Sequence, residues 1–265
     1  MGFTFYADLL GISGYYRLSP KRAYNRLNDF YNTTFPCLSE YCRRNRDSVH
    51  VNMFSDSLLV WGDDQNEILR QLLKLYLRLM RIGLLLRGAL VGGKLRLDPR
   101  LTLDNFEKFL AGNDSLARAA GLEATQKGAR FLIENSLAEE ILGNCDDWLT
   151  QEGYLQNIRP NISLDDMKRR ICPTPDNKGY ELLYLWIPRD SVQNSVHFSE
   201  QILRQLTELS SLYSDEISVH YKETLSLLKR CQKRKEYTER EIDPSFNAEI
   251  NRRVDMINSA NNSFE

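Results

Sequence analysis

Phe5-Tyr6-Ala7-Asp8-Leu9-Leu10-Gly11-Ile12-Ser13-Gly14 opens the chain with an apolar run, one carboxylate and a loop carrying two glycines. Phe3, Phe5, Tyr6 and Ala7 read as a short buried strand. Burying an unpaired carboxylate at the end of such a strand is costly, so a positive group is expected beside Asp8. A divalent metal is the simplest candidate. Gly11 and Gly14 let backbone N–H groups turn inward, as loops that cradle phosphate oxygens require. Taken alone, the stretch fits equally well a strand whose terminal aspartate caps its own turn.

Working outward, Ser19-Pro20 reads as a helix cap followed by proline in the first turn. Ala23, Leu27, Phe30 and Tyr31 follow at helical spacing, and the helix is expected to end near Thr34 to Pro36. Residues 43–47 form a charged turn. From Ser48 the period changes to two: Val49, Val51 and Met53 alternate with His50, Asn52 and Phe54. Phe54-Ser55-Asp56-Ser57 is a tight turn and residues 58–61 return as a strand, so the pair forms a hairpin with Asp56 at its tip. Residues 68–82 predict an amphipathic helix with Leu72, Leu75, Leu79 and Ile82 on one stripe. Residues 84–95 predict a strand, 112–123 a helix and 129–133 a further strand.

This order, βαββαβ, predicts an α+β fold of the ferredoxin-like or palm type, an antiparallel sheet with helices on one face. In that arrangement the first strand and the hairpin lie side by side, so Asp8 and Asp56 meet. Two carboxylates that close repel unless a cation neutralises them. Facing a glycine loop, they suit Mg²⁺ or Mn²⁺ holding a nucleotide triphosphate.

The rest of the chain is expected to hold a short helix at 136–142, a polar loop at 158–177 and a late strand at 180–187 closed by Pro188. Two helical runs follow, at 202–212 and 217–231. These divide the chain into a catalytic domain, 1–190, and a helical C-terminal extension, 191–265, packed on the core or on a dimer. The formal net charge of −1 gives no basic excess for nucleic acid. No secretion signal is read at the N-terminus, and Arg and Lys interrupt the leucine-rich region too often for a membrane span. Five scattered cysteines argue against a disulfide framework and against zinc, which makes a reducing cytoplasm the expected location.

Four motifs in this order resemble the class III nucleotidyl cyclases: Asp8-Leu9-Leu10-Gly11, Phe54-Ser55-Asp56, Arg87-Gly88-Ala89-Leu90 and the helix from Gly112 to Glu123. The FSDS hairpin and the short chain are most similar to the stand-alone pyrimidine cyclases of bacterial Pycsar antiphage defence. The resemblance covers roughly residues 3–187. It implies that Asp8, Asp56 and the Leu9 carbonyl bind two divalent metals, Mg²⁺ or Mn²⁺. One would lower the pKa of the ribose 3′-hydroxyl and the other would hold the triphosphate. It implies phosphate contacts from Leu10, Gly11, Ile12 and Ser13, and Lys94 after the double glycine is a further candidate. It also implies a head-to-tail homodimer, UTP or CTP as substrate, and a separate effector activated by the cyclic product.

The family reads the base from the hairpin strand, where purine cyclases carry a lysine four residues before the second aspartate. Here that position is Asn52, with His50 and Phe54 on the same strand face. A neutral amide can read the O4/N3–H edge of uracil or the N4/N3 edge of cytosine; Asn52 also fits an ordinary strand-surface residue. The family's Asn–Arg transition-state pair is absent from the 112–123 helix in either register. Arg118 is the candidate substitute, or else a solvated helix arginine. Arg87, inside an apolar strand, is expected to pair with a buried partner or with carbonyls.

Overall fold

The computed structural model describes residues 2–98, 109–143, 170–176, 178–184, 206–207 and 215–242. Most of the polar loop, the end of the strand expected at 180–187 and nearly all of the helical run at 202–212 lie outside them.

At the centre is β1 (Phe3–Leu9), which pairs antiparallel with β3 (Ser57–Gly62) on one side and β4 (Leu86–Gly92) on the other. The hairpin strand β2 (His50–Phe54) lies outside β3, which gives the order β2-β3-β1-β4. This is the order of a ferredoxin-like or palm sheet, and the chain is α+β as its element order predicts. The sheet continues through β5 (Phe131–Ile133) to β7 (Tyr180–Leu182) and β6 (Ile171–Pro173), seven strands among the described residues. β5 runs parallel to β4 because the helix α4 (Ser115–Glu123) crosses over between them; the other pairs are antiparallel. β6 falls in the stretch expected to be loop.

Alternation along β1 sends Phe3, Phe5, Ala7 and Leu9 into the main core and Thr4, Tyr6 and Asp8 to the opposite face. Two helices cover the core face, α2 (Pro20–Arg44) and α3 (Gln65–Arg81). The Asp64 carboxylate caps α3, accepting from the backbone N–H of Asn66 and Glu67 at 3.0 Å each. Ile68, Leu72, Leu75 and Leu79 then form its buried stripe. α2 does not stop at Pro36. Thr34, Leu38 and Tyr41 extend the buried face begun by Ala23 and Phe30, and their packing outweighs the one backbone bond that proline removes.

The second face is not bare. After α1 (Ile12–Leu18) and the helices above, α4 (Ser115–Glu123) lies across β1 and β4 on this side. Thr4 Oγ1 donates to Gly93 O at 2.7 Å and meets Ser115 Oγ at 3.0 Å, while Leu116 packs with Leu59, Trp61 and Leu95. Helices on one face were expected; α4 departs from that because Tyr6, Leu59 and Trp61 make this face apolar too.

α5 (Asn135–Leu142) adds Leu137, Ala138 and Ile141 to the core. α6 (Asp215–Ile242) also joins it, through Tyr221, Leu227, Leu228 and Cys231. It is tied to the start of β5, where Ala129 N donates to Thr224 Oγ1 at 2.9 Å. Gly88 sets the fit of β4 on β1: a methyl group there would lie 2.6 Å from Ala7 Cβ and 2.8 Å from the Tyr76 hydroxyl. Its absence keeps the strands flush, with Arg87 opposite Asp8.

Candidate active site

Asp8 stands opposite Ser57 of β3 and Arg87 of β4. Ser57 Oγ donates to Asp8 Oδ1 at 3.1 Å and sits 3.4 Å from the Tyr6 hydroxyl. Asp56 occupies the β2–β3 turn beside Ser55, whose φ of 53° is left-handed. The turn is fastened to the end of β1 because Leu9 N donates to Asp56 O at 2.9 Å, while Leu10 N donates to Leu85 O at 2.8 Å. Strand pairing thus brings the two aspartates to one end of the sheet.

Their charges are felt. Burial, then the negative charge of Asp56, raises the Asp8 carboxyl from 3.8 to about 6, and Glu123 adds to the push. The Ser57 hydroxyl and Arg87 pull the other way. Arg87 is already engaged, its Nε bonded to Glu123 and its Nη1 3.5 Å from Gln126 O. It therefore has a buried partner, as its place in an apolar strand predicts, and gives Asp8 little neutralisation.

This is the environment a hard cation relieves. Mg²⁺ and Mn²⁺ suit a site of one or two carboxylates completed by substrate phosphates and water, so the residues present fit such an ion. Among the described residues no three His, Cys, Asp or Glu side chains converge, so further oxygens must come from Leu9 O, substrate or solvent.

The glycine turn lies just beyond. Gly11 has φ 87°, left-handed, and caps α1. Ile12 turns into the core, whereas Leu10, Gly11 and Ser13 line a cavity of about 570 Å³ closed on its other side by Lys127 and residues of α6. Lys94 and Arg118 are not brought to this end. Arg118 is bonded to Glu134, reaches Gly92 O at 2.7 Å and pairs with Asp114 at 3.3 Å; Lys94 pairs with Asp63 at 2.8 Å. Gly92 faces Phe3, five residues from Asp8, or about 17 Å along the strand.

His50, Asn52 and Phe54 point outward from β2, as alternation predicts. His50 is stacked on Trp61 with ring centroids 5.1 Å apart. Asn52 and Phe54 border a second cavity, about 490 Å³, shared with Tyr6, Ser57 and Leu59. Ser57 therefore joins this cavity to Asp8. Sequence reasoning passed over Ser57, which the β1–β3 register makes the cross-strand neighbour of Asp8. It also passed over Lys127 and over His220 as a cavity residue; both reach the glycine turn from segments more than a hundred residues away, which no local pattern signals. Among the described residues no helix is long and apolar enough to cross a membrane.

No protein-family model matches the sequence, and no curated protein matches it. Solved structures similar to this chain include the guanylyl cyclase Cya2, at 13% identity over 52% of this chain and 76% of that one, with a TM-score of 0.40. The adenylyl cyclase CyaB from P. aeruginosa is 17% identical over 53% of this chain and 79% of its own, with a TM-score of 0.41. The guanylate cyclase domain of RhGC from Catenaria anguillulae, in complex with GTP, is 16% identical over 54% and 82%, with a TM-score of 0.42. Each is named a cyclase.

Proposed function

We propose that the chain is a class III nucleotide cyclase that converts a pyrimidine nucleoside triphosphate, UTP in preference to CTP, to its 3′,5′-cyclic monophosphate and pyrophosphate. The observation that carries this reading is the meeting of Asp8 and Asp56 at the end of β1, where burial and the charge of Asp56 make ionised Asp8 costly without a cation. A purely structural pair of carboxylates would be a liability there. When bound, Mg²⁺ or Mn²⁺ would neutralise the triphosphate and ease ionisation of the 3′-hydroxyl.

The residues of the chain supply holding and orientation. Asp8 and Asp56 anchor the cations, and Ser57 fixes the Asp8 carboxylate through its hydroxyl. The Gly11 turn receives the phosphates. With the nucleotide so held, the ribose 3′-oxygen bonds to the α-phosphorus, its proton passes to solvent, and the bond to the β-phosphate bridging oxygen breaks. Positioning and charge neutralisation account for the rate.

Asn52, exposed at the cavity beside Ser57, reads the base with a neutral amide, and Phe54 offers a ring face. Phe54 is 79% exposed, and Leu97, Phe109 and Leu110 are exposed near the same face, which suits burial in a head-to-tail homodimer. The role of the product as an antiviral second messenger acting on a separate effector rests on the resemblance to the Pycsar cyclases.

The test is incubation of the protein with each of the four ribonucleoside triphosphates and Mn²⁺, with products separated chromatographically and identified by mass. Cyclic UMP, with less cyclic CMP, is the expected result. Cyclic AMP or GMP would overturn the base assignment. Binding without turnover would favour a regulatory module, the reading supported by Leu116 and Ala120, or Ala117 and Gly121 in the other register, standing where the family has its Asn–Arg pair.

A further inference from the structure

The cavity of about 570 Å³ beside the glycine turn has two walls. One is Gly11 and Ser13, immediately after the Asp8 strand. The other is Lys127, from the loop before β5, together with His220 and Tyr221 of α6. Among the described residues none of those lining it is a carboxylate.

The His220 ring is held in one orientation, because its Nδ1 accepts from Gly128 N at 3.2 Å. A neutral imidazole that accepts at Nδ1 carries its proton on Nε2, so the free edge of the ring is a donor. Burial, then the charges of Arg87 and Lys127, hold this imidazole below its ordinary pKa, so it is neutral at pH 7. Lys127 is exposed on its loop, free to extend into the opening. The cavity therefore combines a glycine backbone turn, a hydroxyl, an imidazole N–H and an ammonium group, a donor set for phosphate oxygens.

We propose that this cavity is the polyphosphate subsite of the chain, with Lys127 as its cation and His220 Nε2–H as its neutral donor. It would take the β- and γ-phosphates of a nucleoside triphosphate and retain inorganic pyrophosphate after release of the cyclic product. The proposal rests on the cyclase reading for the identity of the nucleotide but not for the chemistry of the anion. It gives α6 a role in the site: the C-terminal helix forms the wall that the first strand and its turn lack. It also places the phosphate cation at Lys127, at the Asp8 end of the sheet, where Lys94 does not reach within one chain.

Inorganic tripolyphosphate, titrated calorimetrically into the full chain with and without Mg²⁺, is the probe. Wild type is expected to bind it, and Lys127→Ala to weaken binding at least about tenfold, in line with loss of a charge-assisted bond. Lys127→Arg should retain most of the affinity. Lys222→Ala, an equal charge change on the exposed side of α6, should bind as wild type does. His220→Phe should weaken binding as well. Absence of binding to wild type, or equal affinity in wild type and Lys127→Ala, would overturn the subsite. Cyclic product from the wild type together with Lys127-independent tripolyphosphate binding would remove the subsite and leave the enzyme. Lys127-dependent binding with no product from any triphosphate would support the subsite and remove the cyclase reading.

Discussion

Asp8→Asn is expected to lower nucleotide turnover at least about 100-fold while raising the melting temperature of the metal-free protein at pH 8 by a few degrees. The two effects share one cause. Ionised Asp8 is half-buried, faces the charge of Asp56, and has only the Ser57 hydroxyl and an already paired Arg87 to offset this. Its carboxyl titrates at about 6 in the fold against 3.8 in the reference state. The folded protein thus binds the proton more tightly than the unfolded chain, and stability falls as pH rises from about 4 through about 6. After allowance for solvent screening at this partly exposed site, the ionised form costs on the order of 1–2 kcal/mol. Asparagine removes that cost at pH 8 and gains nothing at pH 4, where the native carboxyl is already protonated. Thermal melts of both proteins between pH 4 and 8 would show a gap that opens with pH. Saturating Mg²⁺ should stabilise the wild type and leave the variant unmoved. A variant less stable than wild type at pH 8 would show Asp8 to be a structural residue.

Glu181→Ala is expected to cost about 3–5 kcal/mol in urea unfolding. Glu181 is fully buried in β7, and its Oε2 lies 2.6 Å from Nη1 of Arg130, itself only 2% exposed. Its other oxygen is ion-paired with Arg230 of α6. One carboxylate therefore joins the entry to β5, the edge of the sheet and the C-terminal helix. Removing it leaves a buried guanidinium with the half-exposed Glu223, at 3.1 Å, and the Lys127 carbonyl, at 3.0 Å, to compensate among the described residues. Because α6 carries His220 and Tyr221, the variant should also lose affinity for tripolyphosphate. Glu223→Ala removes a carboxylate that is 42% exposed and should cost about 1 kcal/mol or less. If Glu181→Ala unfolds within about 1 kcal/mol of wild type, the cluster does not hold α6 in place.

The core of the fold was legible because its signals are local. The alternation in β2, the Asp64-capped stripe of α3 and the Asp-bearing turn between two apolar strands each declare themselves within a few residues. The meeting of Asp8 and Asp56 then follows from topology, since a βαββαβ order puts the hairpin beside the first strand. The failures were tertiary. Helix α2 runs through Pro36 because Leu38 and Tyr41 find a core beyond it, which no propensity reveals. Helix α4 sits on the second face because Tyr6, Leu59 and Trp61 together make that face apolar, although each looks like an ordinary strand residue. Strand β6 is three residues long and exists through its pairing with β7. Lys94 follows the double glycine and Arg118 lies on the expected helix, but the far end of β4 and the α4 packed against it hold both away from Asp8. Lys127 and His220 meet the glycine turn only once α6 has docked.

Mn²⁺ binding measured by electron paramagnetic resonance, with a non-hydrolysable UTP analogue present, tests most directly whether the two aspartates form one cation site. Wild type, Asp8→Asn and Asp56→Asn would be compared at pH 8. Wild type is expected to bind the ion in a nucleotide-dependent manner, and each single variant to lose at least about tenfold in affinity, because each substitution removes one of the two anionic ligands that the chain offers the ion. Wild-type affinity retained in either variant would contradict the shared site and, with it, the two-carboxylate reading of the chain.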